Sequence, residues 1–249
     1  MRFGIDTSIW QGLMEWEIAQ SRGVDFAVCR AGSINNITGT LYEDFELVNN
    51  VSNCMLPRTF YWYFRPNHSP LKQAQYFHSM LKDIRWEFPL VADVEDSGGL
   101  SVTGMRASVK AFLDEIERLT GQKPIIYTRS SFWNPTMGSV SWASEYHIWL
   151  ARYVSISNTT HRPFMSGPWA DGNYKPLGWS DWDMWQFSAD GNGLGAYYGA
   201  LSNSLDLDLM QDDVFDLYTA EPTPPVIDIT FELAQIRGAA DSIEEKVGV

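Results

Sequence analysis

The chain has 249 residues, of which 45% are hydrophobic and 14% aromatic. This length suits one or two domains, and α/β barrels often reach it as a single unit. The formal net charge of −13 argues against a nucleic-acid backbone or an anionic membrane surface as partner, because like charges repel. The aromatic excess, which includes 11 Trp, is typical instead of a surface that stacks on weakly charged rings such as sugars.

The cysteines, the histidines and the N-terminal segment argue against a disulfide framework, a metal site and a signal peptide. Cys29 and Cys54 are predicted to be buried thiols, because their positions give no disulfide framework. With four His and no CxxC or Cys/His spacing, neither a metal site nor a cofactor is predicted. The segment "MRFGIDTSIW" leads directly into a strand, so no signal peptide is predicted, and no run is long enough to span a membrane.

Strands and helices alternate through the first half of the chain. Strands are predicted at residues 2–8, 25–32, 58–64, 88–96 and 123–131, and helices at 14–23, 42–54, 69–85 and 101–121. The third helix has Ser69 as N-cap and Pro70 at its first position. The fourth begins at Ser101 or Thr103 and ends at Gly121. This alternation indicates βαβ units and a parallel sheet.

The pattern changes after Tyr127. Strands are predicted at 147–154, 182–190 and 204–210, but the segments between them are rich in Gly, Pro, Asn and Trp and lack helical periodicity. We therefore predict an α/β fold, an incomplete TIM-like barrel of eight strands with helices mainly in the first five connections. An open doubly wound sheet is the main alternative, and no GxGxxG motif favours it.

The barrel is predicted to occupy residues 1–218, followed by a Pro-rich linker at 219–226 and a short helical tail at 227–249. Apolar residues recur in the tail at alternating steps of four and three: Ile229, Leu233, Ile236, Ala240, Ile243 and Val247. The tail is predicted either to pack on its own barrel or to serve as a docking or oligomerisation helix.

Four carboxylates are predicted to converge at one face of the barrel. In "PLVADVED", Asp93 and Glu95 end the fourth strand, and alternation places both on one side with Cα atoms about 6.6 Å apart. Asp6 ends the first strand, and Asp206 lies in the last, which neighbours the first in a closed barrel. Because the C-terminal ends of parallel strands form the active face of such a barrel, these acids are expected around one pocket.

Convergent carboxylates favour either glycoside hydrolysis or divalent-metal binding. In hydrolysis, one acid protonates the leaving oxygen, and neighbouring negative charge raises its pKa so that it keeps its proton near neutral pH. Aromatic residues near the predicted strand ends favour a sugar substrate: Tyr61, Trp62, Tyr63, Tyr127, Trp149 and Trp185. Simpler interpretations stay open: each Trp as a core residue, Asp96 as a turn former or helix cap, and Asp208 as a surface or structural residue.

Seven motifs resemble those of one known family and occur in its order. They are "GIDTSIWQG", "FYWYFRP", "PLVADVED", "PIIYTRS", "IWLARY", "MWQFS" and "LDLD", and they span roughly residues 2–212. On these residues the chain resembles the family 25 glycoside hydrolases, lysozymes of the Chalaropsis type that are common among phage endolysins and bacterial wall hydrolases. The resemblance implies a (β/α)5(β)3 barrel and cleavage of the β-1,4 bond between N-acetylmuramic acid and N-acetylglucosamine in peptidoglycan.

The resemblance also implies roles for individual residues. Glu95 matches the proton donor, and Asp93 matches a partner acid that orients or stabilises the substrate's acetamido group or acts as nucleophile. Asp6 and Asp206 match further acids of the pocket. Five residues match positions that line the family's sugar groove: Tyr61, Tyr127, Trp149, Trp185 and Gln186. Tyr63, near the end of the same strand as Tyr61, completes the predicted set.

Three features depart from the family pattern. Thr7 stands where an aliphatic residue is frequent, a small change. Asp208 stands where Asn is usual, and it is expected to add negative charge near the pocket rim. The long aromatic segment 161–181 is expected to reshape one wall of the groove.

Two other functions are kept as alternatives: a barrel that binds wall glycan without cutting it, and a metal-dependent hydrolase. Peptidoglycan is the expected partner both of the wall hydrolase and of the glycan-binding barrel. Wall chemistry in a chain with no predicted signal peptide suggests a phage endolysin, made in the host cytoplasm and released by a holin. A virion-borne lysin that docks through residues 227–249 is the alternative route to the wall.

Overall fold

The structure is a computed structural model that describes residues 1–44, 47, 51, 53–172 and 174–220. The strands are β1 Arg2–Thr7, β2 Phe26–Ile34, β3 Leu41–Glu43, β4 Arg58–Tyr63, β5 Val91–Asp93, β6 Ile125–Thr128, β7 Ile148–Ala151, β8 Met184–Ser188 and β9 Asp206–Met210. The α-helices are α1 Trp16–Ser21, α2 Pro70–Leu81, α3 Val102–Thr120, α4 Ser130–Thr136 and α5 Asp212–Thr219. The predicted tail and its apolar stripe lie outside the described residues.

Eight of these strands close into a barrel. Going round it, the order is β1, β2, β4, β5, β6, β7, β8 and β9, and β9 pairs again with β1. Neighbours are parallel from β1 to β8, whereas β9 runs antiparallel to both β8 and β1. The predicted barrel is therefore confirmed, and the open sheet is excluded.

The direction of β9 corrects one step of the prediction. Asp206 was expected at the C-terminal end of a parallel strand, but it is the first residue of an antiparallel one and pairs with Asp6. Because β9 runs the opposite way, its start lies at the same end of the barrel as the C-terminal ends of the other strands. Asp206 reaches the expected face through reversed strand direction.

Apolar side chains fill the end of the barrel where its parallel strands begin. This inner core contains Phe26, Val28, Phe88, Val91, Ile125, Met184 and Met210. Gly4 of β1 makes room for it, because a Cβ there would lie 2.3 Å from the Phe26 ring. Helix α5 covers this end, with the rings of Phe215 and Phe88 5.5 Å apart. The opposite end, where the strands finish, is left for polar side chains.

The helix boundaries follow local capping chemistry. The Ser69 hydroxyl accepts a hydrogen bond from the Lys72 N–H, and Pro70 occupies the first turn of α2, as predicted. Ser101 caps α3 in the same way, and Gly121 ends it with φ of 75°. Among the helices of the described residues, none has both the length and the apolar content needed to cross a membrane.

Two segments differ from their predicted structure. Residues 42–43 were predicted to begin a helix, but they lie in β3, which pairs with the end of β2. Gly32 permits this pairing, since a Cβ there would lie 2.1 Å from the Tyr42 carbonyl oxygen. The short helix α4 begins inside residues 123–131, which were predicted to be entirely strand. Cys29 and Cys54 are free and buried, as expected.

Candidate active site

A cavity of about 370 Å³ opens where the parallel strands end. Its lining includes the four predicted carboxylates, Asp6, Asp93, Glu95 and Asp206, and five of the six predicted groove residues, Tyr61, Tyr63, Tyr127, Trp149 and Gln186. Residues from β1, β4, β5, β6, β7, β8 and β9 thus meet in one place. The structure brings together what the sequence separates by up to 200 positions.

Backbone pairing beyond the end of β5 holds Glu95 beside Asp93. Strand β5 ends at Asp93, earlier than predicted, but the Val94 N–H donates to the Tyr127 carbonyl at 2.9 Å and keeps the chain extended. Val94 is therefore buried in the outer core while Asp93 and Glu95 both face the cavity. Asp96 accepts a hydrogen bond from the Gly98 N–H at 2.9 Å and pairs with Arg65, which confirms its interpretation as a turn former.

Asp93, which is buried, and Glu95, which is partly exposed, form an acidic pair with cationic neighbours. Burial raises the pKa of Asp93 well above its ordinary value, and the charge of Glu95 adds to the rise while Arg30 opposes it. Burial also raises the pKa of Glu95, against the opposing charges of Arg129 and Arg65. Both shifts favour the protonated form, so this pair keeps a proton to higher pH than free carboxyls do.

The acids on β1 and β9, Asp6 and Asp206, differ from each other in pKa. Burial raises the pKa of Asp6 to about 6, and a hydrogen bond from Gln186 limits that rise. Burial and the charge of Asp6 raise the pKa of Asp206 to about 10. Near neutral pH, this difference in pKa favours the negative charge on Asp6 over a negative charge on Asp206.

Gln186 connects Asp6 to the aromatic wall of the cavity. Its Nε2 donates to Asp6 Oδ2 at 2.7 Å. Its Oε1 accepts from the Tyr127 hydroxyl at 2.8 Å and from the Tyr153 hydroxyl at 3.1 Å. These bonds fix the amide orientation and direct its N–H group towards the carboxylate.

The expectation for Trp185 is wrong. Its side chain is fully buried on the outside of the barrel, where Nε1 donates to the Arg152 carbonyl at 2.7 Å. Alternation along β8 is the reason, because Gln186 faces the cavity and its neighbour must point the opposite way. Trp62 likewise faces outward and donates to Gln73 Oε1 at 3.0 Å.

Two expectations for the surroundings of the pocket are also wrong. Asp208 does not lie at the rim or on the surface: it is fully buried, and its Oδ1 accepts from Trp149 Nε1 at 2.8 Å. Among the described residues of the segment 161–181, none lines the cavity. That segment is held against the outside of the barrel instead, with Arg152 paired to Asp171 and the Trp133 indole donating to the Leu177 carbonyl.

The sequence analysis missed seven residues that line the cavity: Ser8, Trp10, Gln11, Arg30, Tyr153, Ala189 and Ser204. Trp10, in the turn after β1, is 77% exposed and lines both this cavity and an adjoining one of about 600 Å³. Arg30 and Tyr63 also line both cavities. Tyr153 reaches the first from the end of β7. A large aromatic in the polar turn "TSIWQG", directly after a strand that ends in an acid, is the signal that could have revealed Trp10.

Comparison with known proteins shows which family has this sequence. The model of the glycosyl hydrolases family 25 matches residues 5–196. The chain belongs to this family. It is 32% identical to lysozyme M1 of Streptomyces globisporus over 203 residues, which are 76% of this chain but 62% of that protein. The matched part is thus less than two thirds of that relative's length.

Two further similarities cover nearly the whole length of the other protein. The N,O-diacetylmuramidase of Chalaropsis sp is 25% identical over 218 residues, which are 82% of this chain and 95% of that protein. The crystal structure of the lysozyme from Streptomyces coelicolor is 27% identical, with a TM-score of 0.68, and the alignment covers 87% of this chain and 96% of that one. Among the described residues, no group of three or more His, Cys, Asp or Glu side chains is arranged to hold a metal ion.

Proposed function

We propose that this family 25 chain is an N-acetylmuramidase that hydrolyses the β-1,4 bond between N-acetylmuramic acid and N-acetylglucosamine in peptidoglycan and so lyses bacterial cell walls. The observation that carries the proposal is the convergence of Asp6, Asp93, Glu95 and Asp206 in one aromatic-lined cavity. Aromatic rings provide flat apolar surface for sugar rings, and the carboxyls provide proton transfer and charge.

Burial supports a division of roles between the central acids. Glu95 is the more accessible of the two, so it is placed to meet the glycosidic oxygen of a bound glycan. Asp93 lies deeper, and its Oδ1 has no hydrogen-bond partner among the described residues. An unpartnered buried acceptor is costly, and the N–H of a substrate acetamido group would satisfy it.

The shared proton supports the chemistry of the first step. An acetamido N–H that donates to Asp93 favours its charged form, which moves the proton of the pair onto Glu95. Glu95 then gives this proton to the leaving oxygen while the acetamido oxygen attacks the anomeric carbon and breaks the glycosidic bond. The Asp93 carboxylate stabilises the positive charge that develops on the acetamido group.

The second step restores both groups. A water molecule attacks the anomeric carbon, the bond to the acetamido oxygen breaks, and the Glu95 carboxylate accepts the proton that the water loses. Asp6, which is ionised at neutral pH, adds negative potential to the same site. This potential favours the positively charged transition state.

Mass spectrometry of fragments released from purified peptidoglycan tests the proposed bond. After borohydride reduction, a muramidase leaves reduced N-acetylmuramic acid at the new ends, whereas a glucosaminidase leaves reduced N-acetylglucosamine. A parallel digest with added chelator tests the alternative of a metal-dependent hydrolase, which would stop releasing fragments. Co-sedimentation with walls without any fragment release would instead support a glycan-binding barrel and contradict the proposal.

The route to the wall is a separate proposal. We infer that the protein acts as a phage-type lysin, either free after release by a holin or carried in a virion. The support is the heptad-like apolar spacing predicted for residues 227–249, which suits a docking or self-association element. Light scattering of the full chain and of a chain ending at Ala220 tests the second role. A monomeric mass for both would exclude self-association.

A further inference from the structure

A second layer of acid lies beneath the cavity. Strand β9 faces the barrel interior with Asp206 and Asp208, which pair with Asp6 and Gly4 of β1 respectively. Asp206 lines the cavity, whereas Asp208 has 0% of its surface exposed. Asp6 lies two residues beyond Gly4 on the same face of β1, and its Oδ2 accepts from Gln186, which pairs with Asp208 on the other side of β9, so Asp6 and Asp208 occupy neighbouring positions in the barrel interior. Asp208 therefore touches the site without facing the substrate.

The two oxygens of Asp208 have different surroundings. Oδ1 accepts a hydrogen bond from Trp149 Nε1 at 2.8 Å. Oδ2 receives none from the described residues. A buried carboxylate with an unsatisfied oxygen next to another carboxylate is strongly unfavourable, whereas a proton on that oxygen removes the charge and supplies a donor. Asp6 is the acceptor that the strand register places beside it, on the same face of β1 as Gly4, the partner of Asp208.

The neighbouring groups agree with a proton on Asp208. Burial and the charge of Asp6 raise the pKa of Asp208 well above its ordinary value, while the pKa of Asp6 is about 6. The other titratable or charged groups that act on this acid cluster are Asp190, Asp206, Asp93, Glu95, Arg30, Tyr61, Tyr127 and Tyr153. Four of these eight groups are carboxyls and one is a cation, so the ionised carboxyls among them disfavour a further negative charge.

We propose that Asp208 is a positioning residue that remains a neutral acid and donates a hydrogen bond to Asp6, which holds Asp6 as the ionised carboxylate of the site. Gln186 donates to Asp6 from one side, and Asp208 donates from below. Trp149 completes the chain by donating to Asp208, so the same acid orients an indole of the cavity wall. The kinetic test of this proposal rests on the proposed function, because it follows the ionisation of Asp6 through the rate of wall hydrolysis.

Two substitutions in the full-length chain separate a donor from a space filler. In Asp208→Asn, the amide N–H replaces the acid proton and the amide oxygen still accepts from Trp149, so the acid limb of kcat/KM should stay within about 0.3 pH unit of wild type. In Asp208→Leu, Asp6 loses a donor, its pKa rises, and the acid limb should move up by about one pH unit. A shift of equal size in both variants, or in neither, would overturn the proposal.

An infrared measurement is independent of both folding of the Leu variant and wall hydrolysis. The difference spectrum of wild type minus Asp208→Asn at neutral pH should contain the C=O stretch of a protonated carboxyl. A carboxylate band in its place would refute the neutral acid directly. If the wild-type protein released no wall fragments, the infrared result would still decide the state of Asp208, and the proposed function alone would fail.

Discussion

The two acidic groups of the cavity differ in how completely the protein satisfies them. Asp6 receives a hydrogen bond from Gln186, and in our proposal it receives a second one from Asp208, which would close its environment. Asp93 instead keeps one oxygen unpartnered and lies near the cationic side chain of Arg30. A closed network keeps its proton arrangement, whereas an incomplete one changes when a substrate supplies the missing donor. The difference fits the proposed mechanism, in which the acids on the β5 side react and those on the β1–β9 side set the electrostatic potential.

The largest expected effect tests the β5 side. Glu95→Gln removes the transferable proton but keeps the side-chain shape, so the rate of wall hydrolysis should fall by about 10³-fold. Turbidity loss of purified walls measures the rate, and co-sedimentation should show unchanged wall binding. Glu145→Gln, at an exposed surface acid, is the matched control and should retain full activity. Undiminished turnover in Glu95→Gln would remove the acid role from this residue.

A second substitution tests the unsatisfied oxygen. Asp93→Asn removes the charge that balances the acetamido group, so kcat should fall by about 10²-fold. The loss should be mainly in kcat rather than KM, because the stabilised charge exists only in the transition state. Steady-state kinetics on soluble glycan fragments separate the two parameters. An effect confined to KM would show that Asp93 serves only to bind substrate, and the contrast between the two acidic groups would then be wrong.

On the β1–β9 side, the ionisation of Asp6 should make the free energy of unfolding depend on pH. The pKa of folded Asp6 is about 6, above its ordinary value of 3.8, so its contribution is full below pH 3.8 and is lost as pH rises through 6. Asp6→Asn cannot ionise, and its gain in unfolding free energy over wild type should be larger at pH 8 than at pH 5, by about 1.4 kcal/mol. Urea denaturation at the two pH values measures the difference. An equal gain at both would mean that Asp6 does not ionise in this range.

The smallest expected effect compares two tryptophans. Trp10→Ala removes an exposed ring at the cavity rim, so KM should rise about fivefold with no change in thermal midpoint. Trp185→Phe leaves the Arg152 carbonyl without its buried donor, so unfolding free energy should fall by about 1–2 kcal/mol while KM is unchanged. Kinetics and calorimetry on both variants provide the comparison. The reverse pattern would restore Trp185 to the groove.

Local pattern predicted the first half of the barrel well because each element carries its own signals. The caps at Ser69 and Ser101 and the αL residue Gly121 depend on neighbours within a few positions. Period-two alternation likewise placed Asp93 and Glu95 on one side. The same rule applied to β8 would have separated Trp185 from Gln186, so that error came from matching family positions without checking the strand period.

Other features depend on partners that are distant in sequence. Strand β3 forms where helix was predicted because β2 offers a free edge and Gly32 permits close approach. The antiparallel direction of β9 depends on how the chain returns from β8, and no local pattern encodes it. Asp208 looked like a rim residue because alternation gives a side of the strand but no depth within the barrel.

The sequence by itself determined the alternation of elements, the barrel class, the family and the four acids that meet, because these follow from short-range periodicity and from motifs in order. The tertiary structure alone decided how burial shifts the pKa of each acid, which tryptophan faces the cavity and how deep Asp208 lies. Those properties depend on burial and on the distance between charges, and both are set by chain segments up to 200 residues apart.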